Sequence, residues 1–193
     1  MTSPTSRVRL LAAAERILID EGLKALTLRR LAAASGLNSA LVKYYFGSMD
    51  GLLAELVRLN LDPMMQCWTD VPHADSTLEQ ALHDYFSPMW LPAAHCREER
   101  ALVLVDEIVA HGDPALRDSA VEQLTRPFNR LLDRLAVLLP RIGRDDAAAR
   151  LRFLSAGALG MPPRSRARQL FPAPADAGQV ERVIVFALAV FND

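Results

Sequence analysis

Residues 27–52, TLRRLAAASGLNSALVKYYFGSMDGL, have the pattern of two short helices joined by a tight turn. Thr27 stands where its hydroxyl can cap the first helix, and Gly36 stands where a left-handed residue can end it. Asn38 can cap the second helix, because its side chain can accept a backbone N–H of the first turn. The stretch therefore predicts a helix-turn-helix.

The second of these helices is predicted to bury Val42 and Tyr45 and to present a small, polar outer face. Small residues allow close approach to a duplex, and Lys43 and Tyr44 can bind phosphates or base edges, so the helix fits a major groove. The alternative is a plain helical hairpin, which is common in all-α proteins. The residues predicted to contact double-stranded DNA are Thr27, Arg29, Arg30, Asn38, Ser39, Ala40, Lys43 and Tyr44.

The stretch from Leu10 to about Leu53 resembles the DNA-binding domain of the TetR family of one-component transcriptional regulators. The resemblance is carried by Leu10, Ala13, Ile17, Leu18 and Gly22, then Thr27-Leu28-Arg29-Arg30-Leu31-Ala32, Gly36-Leu37-Asn38 and Tyr44-Tyr45-Phe46-Gly47-Ser48. It implies an all-α protein in which an N-terminal three-helix helix-turn-helix head precedes a larger helical body for ligand binding and dimerisation. It also implies a largely apolar effector pocket in that body.

Three positions depart from the pattern that the resemblance implies. Met49 stands where the family often has a lysine that contacts phosphate. The missing cation is expected to lower the affinity for DNA and the salt dependence of binding. Lys43 stands where tyrosine is frequent, and it can restore the charge. Ala40 is a mild change from a common glycine.

The length of 193 residues suits one head, residues 1–47, and one body, residues 48–193. The net charge of −1 is unevenly distributed. Residues 1–60 hold eight basic and five acidic side chains, a balance of +3, and the remainder holds 14 basic and 18 acidic side chains, a balance of −4. The basic excess lies where phosphates would be met, which favours a nucleic-acid contact at the head.

The body has helical periodicity throughout and no strand-like alternation. Helices are predicted from Met49, after a capping box at Ser76-Thr77-Leu78-Glu79, over 97–111, from Pro114 to Leu139, over 145–159 and over 178–191. Prolines should stop or bend three of them, at Pro63, where Asp62 can recap a further turn, at Pro88 and at Pro127.

Helices interrupted in this way would pack imperfectly and leave a cavity, which methionines line well. Plain core packing is the alternative for each of these side chains. The predicted ligand-binding residues are Met64, Met65, Trp68, His83, Phe86, Met89, Trp90, Leu104, Ile108 and His111, with Tyr85 as a further polar anchor. The effector is expected to be a small, largely apolar molecule, whose identity the pattern does not give.

The last two helices are predicted to form a homodimer, since a single recognition helix reads too few base pairs for useful specificity. Burial inside one protomer is the alternative. The predicted interface residues are Ala156, Gly157, Val180, Val183, Ile184, Ala187, Leu188 and Phe191. The arginines of the linking segment, Arg164, Arg166 and Arg168, are interpreted as solvated loop charges or as a second nucleic-acid contact.

No catalytic constellation is recognisable, and we predict no enzyme activity, no metal and no cofactor. The four histidines are scattered, and Cys67 and Cys96 are interpreted as reduced thiols rather than a redox pair. No targeting segment or membrane span is evident, so a cytoplasmic location is expected.

The preferred hypothesis is a repressor released from its operator by its effector. The rivals are a dimeric apolar-ligand binding protein with a weak or vestigial head, and a small all-α enzyme.

Overall fold

The computed structural model describes residues 4–95, 101–159 and 178–192, and the regular structure within them is helical. Nine α-helices are described: α1 (Ser6–Glu21), α2 (Leu28–Ser35), α3 (Ala40–Phe46), α4 (Met49–Cys67), α5 (Leu78–Phe86), α6 (Ala101–His111), α7 (Pro114–Leu138), α8 (Arg144–Leu159) and α9 (Gln179–Phe191). Short 3-10 turns lie at Leu23–Ala25 and Ser87–Trp90. The prediction of an all-α fold with an N-terminal helix-turn-helix is confirmed.

Local capping signals fix several of these helices. The hydroxyl of Thr27 accepts the Arg30 N–H at 3.1 Å at the start of α2, and the hydroxyl of Ser48 accepts the Gly51 N–H at 3.0 Å at the start of α4. The Asp113 carboxylate caps α7 ahead of its first residue, Pro114. These caps were predicted, because each bond joins residues only two or three positions apart.

Buried apolar side chains form two clusters. The N-terminal cluster is built from α1 to α4 and is completed by side chains of α6 and α7, Leu104, Ile108 and Ala120. The C-terminal cluster joins α5 to α9 with the end of α4. The first half of α4 therefore belongs to the same core as the helix-turn-helix. A division of the chain at residue 47 stays a prediction.

The predicted stop at Pro63 does not occur, whereas the helix from Pro114 runs on past Pro127 as predicted. The helices α4 and α7 both continue through their prolines, and Asp62 accepts Arg58 Nη1 at 3.0 Å instead of recapping a turn. Each proline removes one backbone hydrogen bond, but packing on both sides of that position holds the helix together. Pro88 alone lies where an α-helix has ended, inside the 3-10 turn after α5.

The capping box of α5 begins one residue later than predicted. The hydroxyl of Thr77 accepts the Gln80 N–H at 3.2 Å, and the Gln80 side chain accepts the Thr77 N–H at 2.9 Å. Ser76 is buried instead, and its carbonyl oxygen accepts Arg134 Nε at 3.0 Å. Glu79 is left exposed. The sequence allowed a capping box from Ser76 to Glu79 or from Thr77 to Gln80, and the long-range contact of Ser76 with Arg134 favours the second.

Some predictions fall on residues outside the described ranges: Cys96, the start of the helix placed at 97, and the arginines at 164, 166 and 168. Cys67 is an exposed free thiol. Within the described ranges, no helix combines the length and the apolar character needed to cross a membrane.

Candidate nucleic-acid interface and body surfaces

Helix α2 is held firmly at its C-terminal end. Gly36 has a φ of 65°, which favours glycine, and its N–H donates to the Ala32 carbonyl at 2.9 Å. Arg9 of α1 donates from Nη2 to the Ser35 carbonyl at 2.8 Å, so a cation satisfies one of the last carbonyls of the helix. The turn into α3 is therefore fixed both by backbone geometry and by α1.

Helix α3 is anchored by one buried side chain. Val42 is 1% exposed within the N-terminal cluster, and Asn38 Oδ1 accepts the Ala40 N–H at 2.9 Å, as predicted. The opposite side of the helix is open: Lys43 is exposed and Tyr44 is 78% exposed. The arrangement presents a cation and an aromatic hydroxyl outward from a rigidly seated helix.

The predicted burial of Tyr45 is wrong. This side chain is 37% exposed and its ring lies edge-on to Tyr44, with centroids 4.9 Å apart. A helix of only seven residues presents little more than one face to the core, and Val42 occupies that face. Tyr45 therefore lies against Tyr44 instead of in the core.

The cations near the interface differ in whether an acidic side chain pairs with them. Arg29 and Lys43 are exposed and make no ion pair with the described residues. Arg30 is engaged by Glu21, to which it donates from Nε at 3.1 Å and again from Nη2. These hydrogen bonds, with the attraction between the charges, lower the pKa of Glu21 and raise the pKa of Arg30. Glu21 occupies the Nε and Nη2 side of the Arg30 guanidinium and offsets its charge, so Arg30 offers a phosphate less than Arg29 or Lys43 does.

The remaining predicted contacts lie at the starts of the two helices. Thr27 and Ala40 are exposed and Ser39 is half-buried. Thr27 and Asn38 already use a side-chain oxygen as a helix cap, and the Thr27 hydroxyl and Asn38 Nδ2 can still donate to a phosphate. All eight predicted residues lie on α2, α3 or the turn between them, apart from the cap of α2.

The predicted ligand-binding residues do not all come together. Six of them, Met64, Met65, Trp68, Phe86, Met89 and Trp90, contribute to the C-terminal cluster. Leu104 and Ile108 belong to the N-terminal cluster, and the side chains of His83 and His111 are exposed. His111 lines a separate small pocket of about 130 Å³ beside Glu107 and residues 21–24.

Polar groups reach the C-terminal cluster at Tyr85. The Trp68 ring stacks on that of Tyr85 with centroids 6.0 Å apart, and its Nε1 donates to the Tyr85 carbonyl at 3.0 Å. The Tyr85 hydroxyl lies 3.3 Å from Ser155 Oγ. Burial raises the pKa of Tyr85 to about 12, so the hydroxyl keeps its proton and can donate.

Ser155 and Gln179 were not identified as site residues from the sequence. Ser155 faces Tyr85, and Gln179 Oε1 accepts the Trp90 indole N–H at 2.9 Å. Both are ordinary polar residues of a helix, and no local pattern distinguishes them. Their partners lie 70 and 89 positions away in the chain.

The predicted interface residues of α9 divide between two environments. Ile184, Ala187 and Phe191 are buried in the C-terminal cluster of the same chain, which overturns their assignment to a dimer interface. Val180, Val183 and Leu188 are half-buried against that cluster. The exposed apolar side chains of α9 are instead Val185 at 68% and Phe186 at 55%.

Helix α8 packs beside α9, and its exposed residues include apolar side chains as well as charged ones. Phe153 is 71% exposed, and the predicted interface residues Ala156 and Gly157 are exposed as well. Large exposed aromatic side chains on neighbouring helices are typical of a surface that meets another protein. We name Phe153, Val185 and Phe186 the outer face.

In the part of the chain that the structure describes, no group of three or more histidine, cysteine, aspartate or glutamate side chains could hold a metal ion. The polar groups of the body make structural hydrogen bonds, such as those of Arg130 and Arg134 to backbone carbonyls at the end of α4 and ahead of α5.

Comparison with protein families identifies the N-terminal segment. Residues 10–56 match the model of the bacterial regulatory proteins of the tetR family. This range contains α2 and α3 with all eight predicted DNA contacts. Comparison with curated protein sequences finds no significant match.

Solved structures match over nearly the whole chain. The regulator PfmR from Thermus thermophilus, a TetR-family protein, is 19% identical with a TM-score of 0.67, covering 95% of this chain and 97% of that one. A transcriptional regulator from Rhodococcus sp. Rha1 is 21% identical with a TM-score of 0.62, covering 97% and 96%. At these identities the likeness shows the fold. A protein described as the superantigen PfiT, 16% identical, has a TM-score of 0.62 over the full length of both chains.

Proposed function

Since the chain carries the DNA-binding domain of the TetR family at residues 10–56 and has the fold of TetR-family regulators, we propose that it is a dimeric, ligand-responsive transcriptional regulator. One observation carries the proposal: Lys43 and Tyr44 stand exposed on a helix that Val42 anchors in the core. A helix seated in this way can enter a major groove with its side chains already positioned. Such a protein acts where the chromosome is, in the cytoplasm.

Dimerisation is part of the proposal, because two recognition helices are needed to read two half-sites. The outer face on α8 and α9 supports it, since Phe153, Val185 and Phe186 leave apolar area in water. A twofold interface uses the same surface on both protomers. Exposed Ala156 and Gly157 would permit close approach of the facing helices.

The effector would bind in the body and would favour one arrangement of the heads over another. Trp68, Tyr85 and Trp90 offer apolar rings with hydrogen-bonding groups at their edges. Coupling of this kind is typically worth about 1–3 kcal/mol, and it requires a ligand that prefers one state. The expected outcome is a repressor that releases DNA when a small apolar molecule binds.

The decisive test is selection of a DNA duplex from a randomised library of double-stranded DNA by the purified protein. Enrichment of a two-part palindromic sequence, followed by a mobility shift that survives excess random duplex, is the expected result. Failure to enrich any sequence would contradict the proposal and would favour an apolar-ligand binding protein with a vestigial head. Met49 supports that alternative, because it packs on the N-terminal cluster and offers no charge to DNA.

Arg29 and Glu21 should have opposite effects on DNA affinity. Arg29→Ala should weaken binding to the selected duplex and flatten its salt dependence by about 0.9 in logarithmic slope, if Arg29 contacts one phosphate. Glu21→Gln should strengthen binding, since it frees Arg30 for the backbone. Mobility shifts over a series of salt concentrations measure both effects.

The matched control for these variants is Arg126→Ala, which removes an exposed cation of the body that pairs with Glu122. Its affinity and slope should equal those of the wild type. An unchanged affinity in Glu21→Gln would show that Arg30 does not reach a phosphate. An unchanged slope with lost discrimination in Arg29→Ala would make Arg29 a base reader instead.

Trp90→Leu should abolish effector binding while leaving DNA binding intact. The indole is half-buried and its N–H is held by Gln179, so it lies at the edge of the C-terminal cluster. A ligand at 100 times its dissociation constant stabilises a protein by about 2.7 kcal/mol. A panel of small apolar compounds, screened by thermal shift, should therefore contain one that stabilises the wild type but not Trp90→Leu. Val137→Leu, on an exposed part of α7, is the control and should keep the shift.

A further inference from the structure

A buried carboxylate of α1 lies where this helix meets the body. Glu15 is 0% exposed and makes no ion pair with the described residues. Its Oε1 accepts Asn60 Nδ2 at 2.6 Å, and its Oε2 accepts the backbone N–H of His95 at 2.9 Å. Burying a carboxylate costs free energy unless its hydrogen-bond donors stay in place. Displacement of α1 from these two donors is therefore unfavourable.

The second member of this arrangement is Asn60 of α4, which is 1% exposed. Its amide nitrogen donates to Glu15 and also to the Leu56 carbonyl at 2.8 Å. Its amide oxygen accepts the backbone N–H of Ala94 at 2.8 Å. Three bonds fix the orientation of the amide, because both of its ends have matching partners.

Two successive backbone N–H groups, of Ala94 and His95, are thus held by side chains from α4 and α1. They belong to residues 91–95, which we name the strap. The strap follows the 3-10 turn Ser87–Trp90, and its first residue, Leu91, accepts the Ala101 N–H of α6 at 2.9 Å. The Nε2 atom of the His95 ring is buried and makes no hydrogen bond with the described residues. The strap therefore links α5 and α6 to α1 through hydrogen bonds of its backbone groups.

We propose that Glu15 and Asn60 are positioning residues that hold the head on the body by binding the strap, and that only the strap-bound state binds a full DNA site. Moving the strap leaves Glu15 Oε2 and the Asn60 amide oxygen, which belong to two buried side chains, without their backbone donors at the same time, so intermediate positions are unfavourable. Two heads must keep a fixed separation to reach two half-sites. This inference rests on the proposed function, and it adds the contacts through which the body would control the heads.

The test compares the full selected duplex with a duplex carrying one half-site. In Glu15→Gln the new amide group places a donor against either Asn60 Nδ2 or the His95 N–H, so one bond is lost. Full-site affinity should fall about tenfold or more, a size typical of coupling between sites. Half-site affinity should stay within about twofold, because the helix-turn-helix itself is untouched. A purely structural role would lower both affinities alike.

A second variant exchanges the two groups. In the double variant Glu15→Gln, Asn60→Asp, the glutamine amide can donate to the new carboxylate, which still accepts the Ala94 N–H. The glutamine oxygen can then accept the His95 N–H, but the bond to the Leu56 carbonyl is lost and two oxygen acceptors face each other there. Full-site affinity should therefore recover part of what Glu15→Gln loses, as expected for two coupled positions. No recovery would contradict the assignment of these two residues.

The wild type alone provides an independent measurement, which decides the matter if Glu15→Gln does not fold. Saturation with the full-site duplex should slow hydrogen exchange at the amides of Ala94 and His95, because coupling between sites is reciprocal. The amide of Gln80, capped within α5, is the control and should not change. Unchanged exchange in the strap, or equal losses on both duplexes in Glu15→Gln, overturns the inference. If the wild type selects no duplex, the proposed function fails and this inference with it.

Discussion

The double variant Lys43→Ala, Tyr44→Ala should lose most of its affinity for the selected duplex while remaining folded. Both side chains are exposed on α3, so their removal should change the free energy of unfolding by no more than about 0.5 kcal/mol. A lost base contact costs about 1–3 kcal/mol, and a lost phosphate contact adds to it. The combined loss should therefore be roughly 30-fold to 1,000-fold in affinity.

Mobility shifts and a thermal melt of the same preparations measure this result. The control is Val42→Asp, which places a charge at a position that is 1% exposed and should unfold the helix-turn-helix. It should lose DNA binding together with stability, whereas the double variant should lose DNA binding alone. Wild-type affinity in the double variant would show that α3 is not the recognition helix.

Neighbouring residues of α9 should give opposite results when changed to glutamate. Ile184 is 5% exposed and Val185 is 68% exposed. Ile184→Glu buries an unpaired charge in the C-terminal cluster and should destabilise the protein by roughly 4 kcal/mol or more. Phe153→Glu with Val185→Glu should leave the fold intact, since both changes occur on the outer face.

The outer-face double variant should instead be monomeric. Like charges would oppose each other across a twofold interface, and the apolar area that favours association would be lost. Sedimentation at micromolar concentration, a circular dichroism melt and titration with the full-site duplex separate the two effects. A monomeric wild type, or an outer-face variant that remains dimeric, would show that the interface lies elsewhere.

Much of the helix-turn-helix could be predicted because its decisive contacts are local. Thr27 and Gly36 cap and end α2 as predicted, through bonds that span no more than four positions. Asn38 also accepts the first N–H of α3, although this helix begins one residue later than predicted. The motif between Leu10 and Leu53 could be recognised for the same reason, since its spacing encodes the three helices. The family model matches residues 10–56, almost the same range.

What the apolar stripe of α9 packs against could not be predicted, because the sequence QVERVIVFALAVF is apolar on nearly every side. Periodicity identifies a buried face only when the opposite face is polar. Packing against α5 and α8 selected Ile184, Ala187 and Phe191 for the core, and this left Val185 and Phe186 outside. The face of α9 that we propose for dimerisation therefore differs from the predicted one.

The sequence by itself determined where the helices of the DNA-binding domain begin and end, and which side chains α3 exposes at Lys43 and Tyr44. Tertiary structure decided the properties that depend on distant partners. Glu15 reads as one more charged residue of α1 until Asn60, 45 positions away, and His95, 80 positions away, enclose it. The physical reason is that caps and turns are satisfied within a few residues, whereas burial is decided by which distant segments meet.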